Sequence, residues 1–363
     1  MTFDFIPLVA GVFLSSLIMV ALVLKVSHRM AWYDHINDRK IHTGNIPRLG
    51  GLGFAVAFIA WSLVITLWIT EFNYGLRFLP LLFAFILILI SGIWDDFKPM
   101  APRYKLVFQI GAALCVLASG HTFTWFCFAG SADPHIPGWA LLRYPLSFLW
   151  IVGMTNAINF IDGVDGLAGG VSLLAALTFG AVFMFPGVPG TVPLLCICLA
   201  AAILGFLVFN APFPHAKIFM GDGGAYFLGF TLALLPLMGE DGQSLPVFHA
   251  AAVLMIPILD TTAAVWRRLR DGRRIDSPDR SHTHHKLMNL GLSSRRIDAI
   301  LFTLQIILGF LVYAAIRMPA YLSLIPLALA YLAGISFFTL IHFLNRHHNH
   351  ALTGKKSGGP ESG

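Results

Sequence analysis

The run Val192-Pro193-Leu194-Leu195-Cys196-Ile197-Cys198-Leu199-Ala200-Ala201-Ala202-Ile203-Leu204-Gly205-Phe206-Leu207-Val208-Phe209 decides the fold class. It holds no charged residue. As a helix it would rise roughly 27 Å, close to the hydrocarbon thickness of a bilayer. Runs of about 18 to 22 residues of this kind recur along almost the whole chain of 363 residues. The composition agrees, with 57% hydrophobic and 12% charged residues and a mean hydropathy of +0.77. A soluble protein carries about a quarter of its residues as charges, and half that number cannot cover its surface. The chain reads as an all-α polytopic membrane protein.

Working outward from that run, eleven spans are expected, near 5–27, 49–70, 78–94, 106–122, 143–160, 166–185, 192–209, 223–239, 247–266, 298–316 and 321–343. Together they form a single integral-membrane domain over 1–345, followed by a disordered cytoplasmic tail over 346–363. Segment 121–142, with Asp133, Pro134, Pro137 and Gly138, reads as an ordered loop. The ~10-residue alternation of an outer-membrane barrel is absent. So is the internal repeat of many transporters. The first span has no basic leader or small-residue cleavage site and reads as a retained helix. Cys115, Cys127, Cys196 and Cys198 sit in or beside apolar runs, as packing residues rather than a disulfide framework or zinc cage.

The 24 Lys and Arg residues sort by side. Lys25–Arg48, Lys98–Lys105, Lys217, Arg267–Arg296 and the tail place 21 on one side; Arg77, Arg143 and Arg317 fall on the other. The positive-inside rule makes the first side cytoplasmic, with the N-terminus periplasmic and the C-terminus cytoplasmic. An odd number of spans requires the same.

The 15 Asp and three Glu residues are distributed differently. Glu71, Glu240 and Glu361 fall in external loops or the tail, whereas Asp95, Asp96, Asp162, Asp165, Asp222 and Asp260 lie at cytoplasmic span ends. Carboxylates at membrane depth are costly and mark function. Asp95 and Asp96 are adjacent; a protonation or a cation would relieve their repulsion, and such short carboxylates suit magnesium beside a phosphate. Asn156, Asn159, Asp162 and Asp165 recur every three residues, so a helix end would present one oxygen-rich stripe, with Gly163 and Gly166 allowing a turn or close approach. Gly221-Asp222-Gly223-Gly224 opens a span, where free amides can hold phosphate. His282-Thr283-His284-His285 lacks a fourth zinc ligand and reads, with Arg280, as donors for a diphosphate. Lys40, His42 and Arg48 in the first cytoplasmic loop are donors of the same type. Asp260, two helical turns before Arg267 and Arg268, reads as paired toward that surface.

From Arg39 through Arg296 these motifs, in this order, resemble the polyprenyl-phosphate N-acetylhexosamine-1-phosphate transferases. The Ser277-Pro278-Asp279-Arg280 and His282-to-His285 pattern is similar to the glycosyltransferase family 4 branch that starts O-antigen and related surface glycans from UDP-GlcNAc. Gly221-Asp222-Gly223-Gly224-Ala225 departs from the family's Gly-Asp-x-Gly-Ser by one hydroxyl. The resemblance implies transfer of N-acetylhexosamine-1-phosphate from a UDP-sugar to undecaprenyl phosphate in the bacterial inner membrane, releasing UMP. It implies Mg2+, with Mn2+ as a substitute. Asn159 and Asp222 would hold the metal. Asp95 and Asp96 would orient or deprotonate the lipid phosphate. Asp162 and Asp165, with Asn210, would shape the nucleotide–sugar pocket, and Lys40, Asn156, Arg280, His282, His284 and His285 would bind substrate. The expected partners are the UDP-sugar, undecaprenyl phosphate and the bilayer, without nucleic acid; a homodimer is left open. Alternatives are phospho-MurNAc-pentapeptide transfer, a secondary transporter for an anion, and an enzyme joining CDP-activated alcohols, although Asp162–Gly170 lacks the Arg the last requires.

Overall fold

The computed structural model describes residues 5–33, 45–69, 78–125, 138–184, 190–211, 215–239, 244–274, 277 and 281–357. Lys40, Arg280, Cys127, Arg77, the three Glu residues and 358–363 lie outside the described residues. Among those described there are thirteen α-helices and no strand beyond an isolated Tyr33–Pro47 bridge. In chain order they are α1 (Phe5–Arg29), α2 (Gly50–Val64), α3 (Phe78–Phe97), α4 (Pro102–Ala118), α5 (Trp139–Ile161), α6 (Leu167–Phe183), α7 (Thr191–Asn210), α8 (Gly221–Leu234), α9 (Val247–Val253), α10 (Met255–Arg270), α11 (Thr283–Asn289), α12 (Ser294–Arg317) and α13 (Ala320–Ser357).

Each of the eleven apolar segments is helical, but they are not alike. Among the described residues seven helices are long and apolar enough to cross a membrane, or eight spans if α9 and α10 count as one. That pair bends by 88°. The bend has a chemical cause: Pro257 has no N–H to donate to the Val253 carbonyl four residues earlier. Buried Gln305 of α12 donates its Nε2 to that carbonyl instead, at 2.9 Å. Helix α6 has 17 residues and α8 only 14, the latter ending early where Leu235-Pro236-Leu237 tightens into a 3-10 turn. Residues 346–357, expected as a disordered tail, continue α13 to Ser357. Extending a nucleated helix adds one hydrogen bond per residue fixed, so propagation does not stop where hydropathy falls.

Outer helices show the two stripes of a membrane protein. On α1, Leu8, Val12, Ser16 and Val20 turn inward while Leu14, Ile18 and Leu22 are exposed. Lipid is as apolar as Leu, so packing inside depends on small residues that let backbones approach. Ser16 Oγ donates to the Ala202 carbonyl of α7 at 2.6 Å, facing Gly205.

Helix α8 is the axis of the molecule. From Gly223 onward its residues are buried, packed by α2, α3 and α5. A Cβ on Gly51 of α2 would sit 2.1 Å from Gly224 Cα, and one on Gly92 of α3 would sit 2.2 Å from Gly223 Cα. Glycine on both sides of each crossing is what brings the N-terminus of α8 against the start of α2 and the end of α3.

Candidate active site

Pro47 and the first two residues of α2 are fastened to the loop before α8 by three backbone hydrogen bonds: Phe219 N–H to Pro47 O (2.8 Å), Gly50 N–H to Phe219 O (2.9 Å) and Gly51 N–H to Met220 O (2.8 Å). Gly221 has φ +76°, and a Cβ there would meet the Arg48 carbonyl at 2.0 Å. Only glycine fits both the left-handed conformation and that contact. Arg48 and Asp222 are therefore placed side by side by main chain, not by chance rotamers.

At the end of α3 the two adjacent carboxylates have separate partners. Asp96 Oδ1 accepts the Asp222 amide at 2.8 Å, and its Oδ2 accepts the Gly223 amide at 3.0 Å. The sequence reading left these amides open for phosphate; Asp96 takes two of them. The positive end of a helix favours an anion, and the Gly92–Gly223 crossing delivers this one. Arg48 Nε also donates to Asp96 Oδ1, at 3.1 Å. Asp95 accepts the Met100 amide at 2.7 Å and pairs with Lys105, whose ammonium also lies 5.9 Å from the centre of the Tyr226 ring. Lys105 and Asp95 are ten residues apart across the turn into α4, so the repulsion between Asp95 and Asp96 is relieved locally.

Asp222 is the accessible member. Its side chain is 28% exposed, against 2% for Asp96 and 3% for Asp95. Asn159 Nδ2 donates to Asp222 Oδ1 at 2.8 Å, and Arg48 Nη2 approaches Oδ2 at 3.5 Å. Asn156, one turn earlier, instead exchanges hydrogen bonds with Gln109 of α4 (2.7 and 3.2 Å).

The expected four-residue stripe is divided. Helix α5 ends at Ile161, so Asn156 and Asn159 are helical while Asp162 and Asp165 lie in the turn leading to α6. Gly163 and Gly166 break the helix before the spacing can continue. In that turn, Asp165 Oδ2 accepts the Ala216 amide at 3.3 Å. Asn210 braces the turn from behind: its Oδ1 accepts the Gly166 amide and its Nδ2 donates to the Ile218 carbonyl, each at 3.0 Å. Burial, reinforced by the negative charge of Asp222, Asp96 and Asp165, pushes the Asp162 carboxyl up to about 8. Asp298 of α12 stands beside Gly166, a further acid of this turn. Its place between Arg296 and the apolar span disguised it as a solvated helix-start residue.

The histidine loop reaches the same turn. Asp260 accepts the Thr283 amide (2.7 Å) and hydroxyl (2.6 Å) on Oδ1 and meets His282 Nδ1 at 2.6 Å on Oδ2. Asp260 was expected to pair toward Arg267 and Arg268; its hydrogen bonds to His282 and Thr283 instead anchor the start of α11. His282 and His284 stack with ring centres 6.0 Å apart, and His285 lies 4.3 Å from His284. His284 packs directly on Gly163, where a Cβ would meet its Nε2 at 2.4 Å. Burial, helped by His285 and His282, lowers His284 to about 3, against the attraction of Asp260. It is a neutral ring at pH 7, a hydrogen-bonding group rather than a cation.

Tertiary structure thus gathers Asp95, Asp96, Asn159, Asp162, Asp165, Asp222 and the histidines at one end of the bundle. It brings Arg48 and Asp260 into that group and adds Lys105, Gln109 and Asp298 to the residues singled out. Among the described residues no three His, Cys, Asp or Glu side chains form a metal-binding group. Asp222 and Asn159 are the oxygen-bearing neighbours able to share a cation with a ligand's phosphates.

The fold and site define the class as a polytopic helical membrane protein whose carboxylate-rich cluster, paired with Arg48 and Lys105, suits a phosphate-bearing ligand. Residues 78–240 match the family described as Glycosyl transferase family 4. A Bacillus subtilis protein named "Probable undecaprenyl-phosphate N-acetylglucosaminyl 1-phosphate transferase" is 35% identical over 301 residues, 82% of this chain and 80% of the relative. Proteins named undecaprenyl-phosphate alpha-N-acetylglucosaminyl 1-phosphate transferase are similar too: 30% over 297 residues in Salmonella typhi (79% and 77%) and 29% over 300 residues in Yersinia pestis (78% and 77%). The chain belongs to this family of phosphosugar transferases, which sets aside the transporter and CDP-alcohol readings.

Proposed function

We propose that this chain transfers N-acetylhexosamine-1-phosphate, with GlcNAc-1-phosphate the preferred group, from the UDP-sugar to undecaprenyl phosphate. An oxygen of the lipid phosphate attacks the sugar-bearing phosphorus. The bond from that phosphorus to the oxygen bridging to UMP breaks, UMP leaves with the electron pair, and undecaprenyl-diphospho-sugar remains. The lipid phosphate is already an anion at pH 7, so positioning and charge neutralisation matter more than a stronger base. The saturation of Asp96 by two amides and Arg48 supports direct attack, since a carboxylate with those partners is a poor nucleophile or base.

Magnesium fits the donor set. It is bound through one or two protein oxygens plus substrate phosphates, and Asp222 and Asn159 offer that pair on the most open side of the carboxylate group. When bound it would neutralise the diphosphate charge. Lys105 and Arg48 supply fixed positive charge on either side, Asp162 and Asp165 line the nucleotide–sugar side, and neutral His284 offers a hydrogen bond from the turn above. Lys40 and Arg280 are assigned to the same substrate by their place in the sequence.

The observation that carries this reading is the convergence of Asn159 and Arg48 on the accessible Asp222 carboxylate, together with the names of the relatives. The wider proposal places the site on the cytoplasmic face of an inner membrane crossed eleven times, and the product at the start of a surface glycan such as O-antigen. The test is UMP release by purified protein with Mg2+, undecaprenyl phosphate and a panel of UDP-sugars. UDP-GlcNAc is expected to lead; UDP-MurNAc-pentapeptide leading would favour the peptidoglycan alternative, and no turnover with any donor by folded protein would sink the proposal.

A further inference from the structure

Arg48 lies between residues whose backbone is bonded to the loop before Asp222 (Pro47, Gly50 and Gly51), and its side chain is bound to two carboxylates. Its Nε donates to Asp96 at 3.1 Å and its Nη2 lies 3.5 Å from Asp222, with about a fifth of the side chain exposed. A guanidinium fixed there occupies lone pairs of Asp222 and repels any second cation approaching that carboxylate. Like charges a few ångströms apart repel strongly where water is partly excluded, so the two cations compete for one carboxylate.

The local charge count points the same way. Lys105 offsets Asp95, and Arg48 offsets one of Asp96 and Asp222. Among the three acids that pair with Lys105 and Arg48, about one negative charge is left for a divalent ion, and Asp162 and Asp165 stand near it as further carboxylates. A divalent ion arriving with a diphosphate brings its own compensation.

We infer that Arg48 competes with the divalent ion for Asp222, so that the site takes the ion well only together with the sugar diphosphate. Tethered through Asp96, the Arg48 guanidinium gives up Asp222 and turns to a phosphate oxygen when the pair enters. Free metal is then held weakly, and metal and diphosphate each tighten the other, as linkage requires. This inference rests on the magnesium reading and deepens it.

The experiment is Mn2+ binding to the full-length protein in detergent, followed by the electron paramagnetic resonance of free Mn2+, with and without UDP. UDP should tighten Mn2+ binding by on the order of tenfold in the wild type. Arg48→Gln should tighten Mn2+ binding without UDP by a similar factor and lose most of the UDP effect, while Arg48→Lys, which keeps the charge but cannot hold both carboxylates, should fall between the two. Asp222→Asn serves as the reference. If it leaves Mn2+ binding unchanged, the metal reading at Asp222 fails. If it abolishes binding but Arg48→Gln holds Mn2+ no tighter than wild type, the Arg48 inference alone fails. Should Arg48→Gln not fold, equal Mn2+ affinity in the wild type with and without bound UDP overturns the inference.

Discussion

Asp96 caps the helix that carries Asp222, accepting the Asp222 amide at 2.8 Å on one carboxylate oxygen and the next amide at 3.0 Å on the other. Two acids 126 residues apart in sequence are thereby given opposite roles. One is consumed in holding the helix; the other is left open to a ligand.

Substitution should separate these roles. Asp96→Asn is expected to remove a charge-assisted cap and lower stability by about 1–3 kcal/mol as well as reducing turnover. Asp222→Asn should abolish metal-dependent UMP release with little change in stability. Thermal unfolding in detergent alongside the UMP assay checks both; equal stability losses would contradict the division of labour.

Acid should unfold the protein partly through His284. The fold holds this ring neutral down to about 3, whereas the unfolded chain takes up a proton below about 6.5. Its contribution to stability is therefore complete above the unfolded value and declines as the pH drops below it, at up to about 1.4 kcal/mol per pH unit. His284→Gln should flatten the unfolding-temperature profile between roughly pH 6.5 and 4. An unchanged profile would remove His284 from the acid response.

The glycine crossings should tolerate nothing larger. Gly92→Ala would place a methyl 2.2 Å from Gly223 Cα, main chain that has no rotamer to yield. A cost of about 1–3 kcal/mol or more is expected, with lost activity, because the Asp96 cap shifts with α3. Gly153→Ala, where nothing lies within 4 Å, is the control and should be neutral or stabilising. Similar behaviour of the two variants in thermal unfolding would refute the close-crossing argument.

Gln305→Leu should leave the Val253 carbonyl without its donor and cost about 1–2 kcal/mol. Pro257→Ala restores a backbone N–H at the bend, so the double variant should recover part of that loss. Unfolding temperatures of the single and double variants test this; a purely additive result would detach Gln305 from the bend.

Some of the site was legible because its chemistry is local. A carboxylate at a span end is conspicuous wherever the chain goes next, so Asp95, Asp96, Asp162, Asp165, Asp222 and Asp260 stand out without a structure. The every-third spacing from Asn156 to Asp165 was legible too, but it assumed an unbroken helix, and the turn after Ile161 divides it. Asp298 was hidden by its basic neighbours, and Asn210 could not be recognised as a brace because both its partners are backbone groups of other segments.

The amino-acid sequence by itself determined that the chain is helical and membrane-embedded, since hydropathy and length act on each segment alone. It also determined which side gathers positive charge and which acids are costly enough to require a purpose. Only the tertiary structure decided what each acid does. That Asp96 caps α8, that Asp260 holds His282 from 22 residues away, that Arg48 lies between Asp96 and Asp222, and that Gln305 completes the bend at Pro257 are all through-space pairings. They depend on where glycines let helices cross, a property of two surfaces together that neither stretch of sequence carries alone.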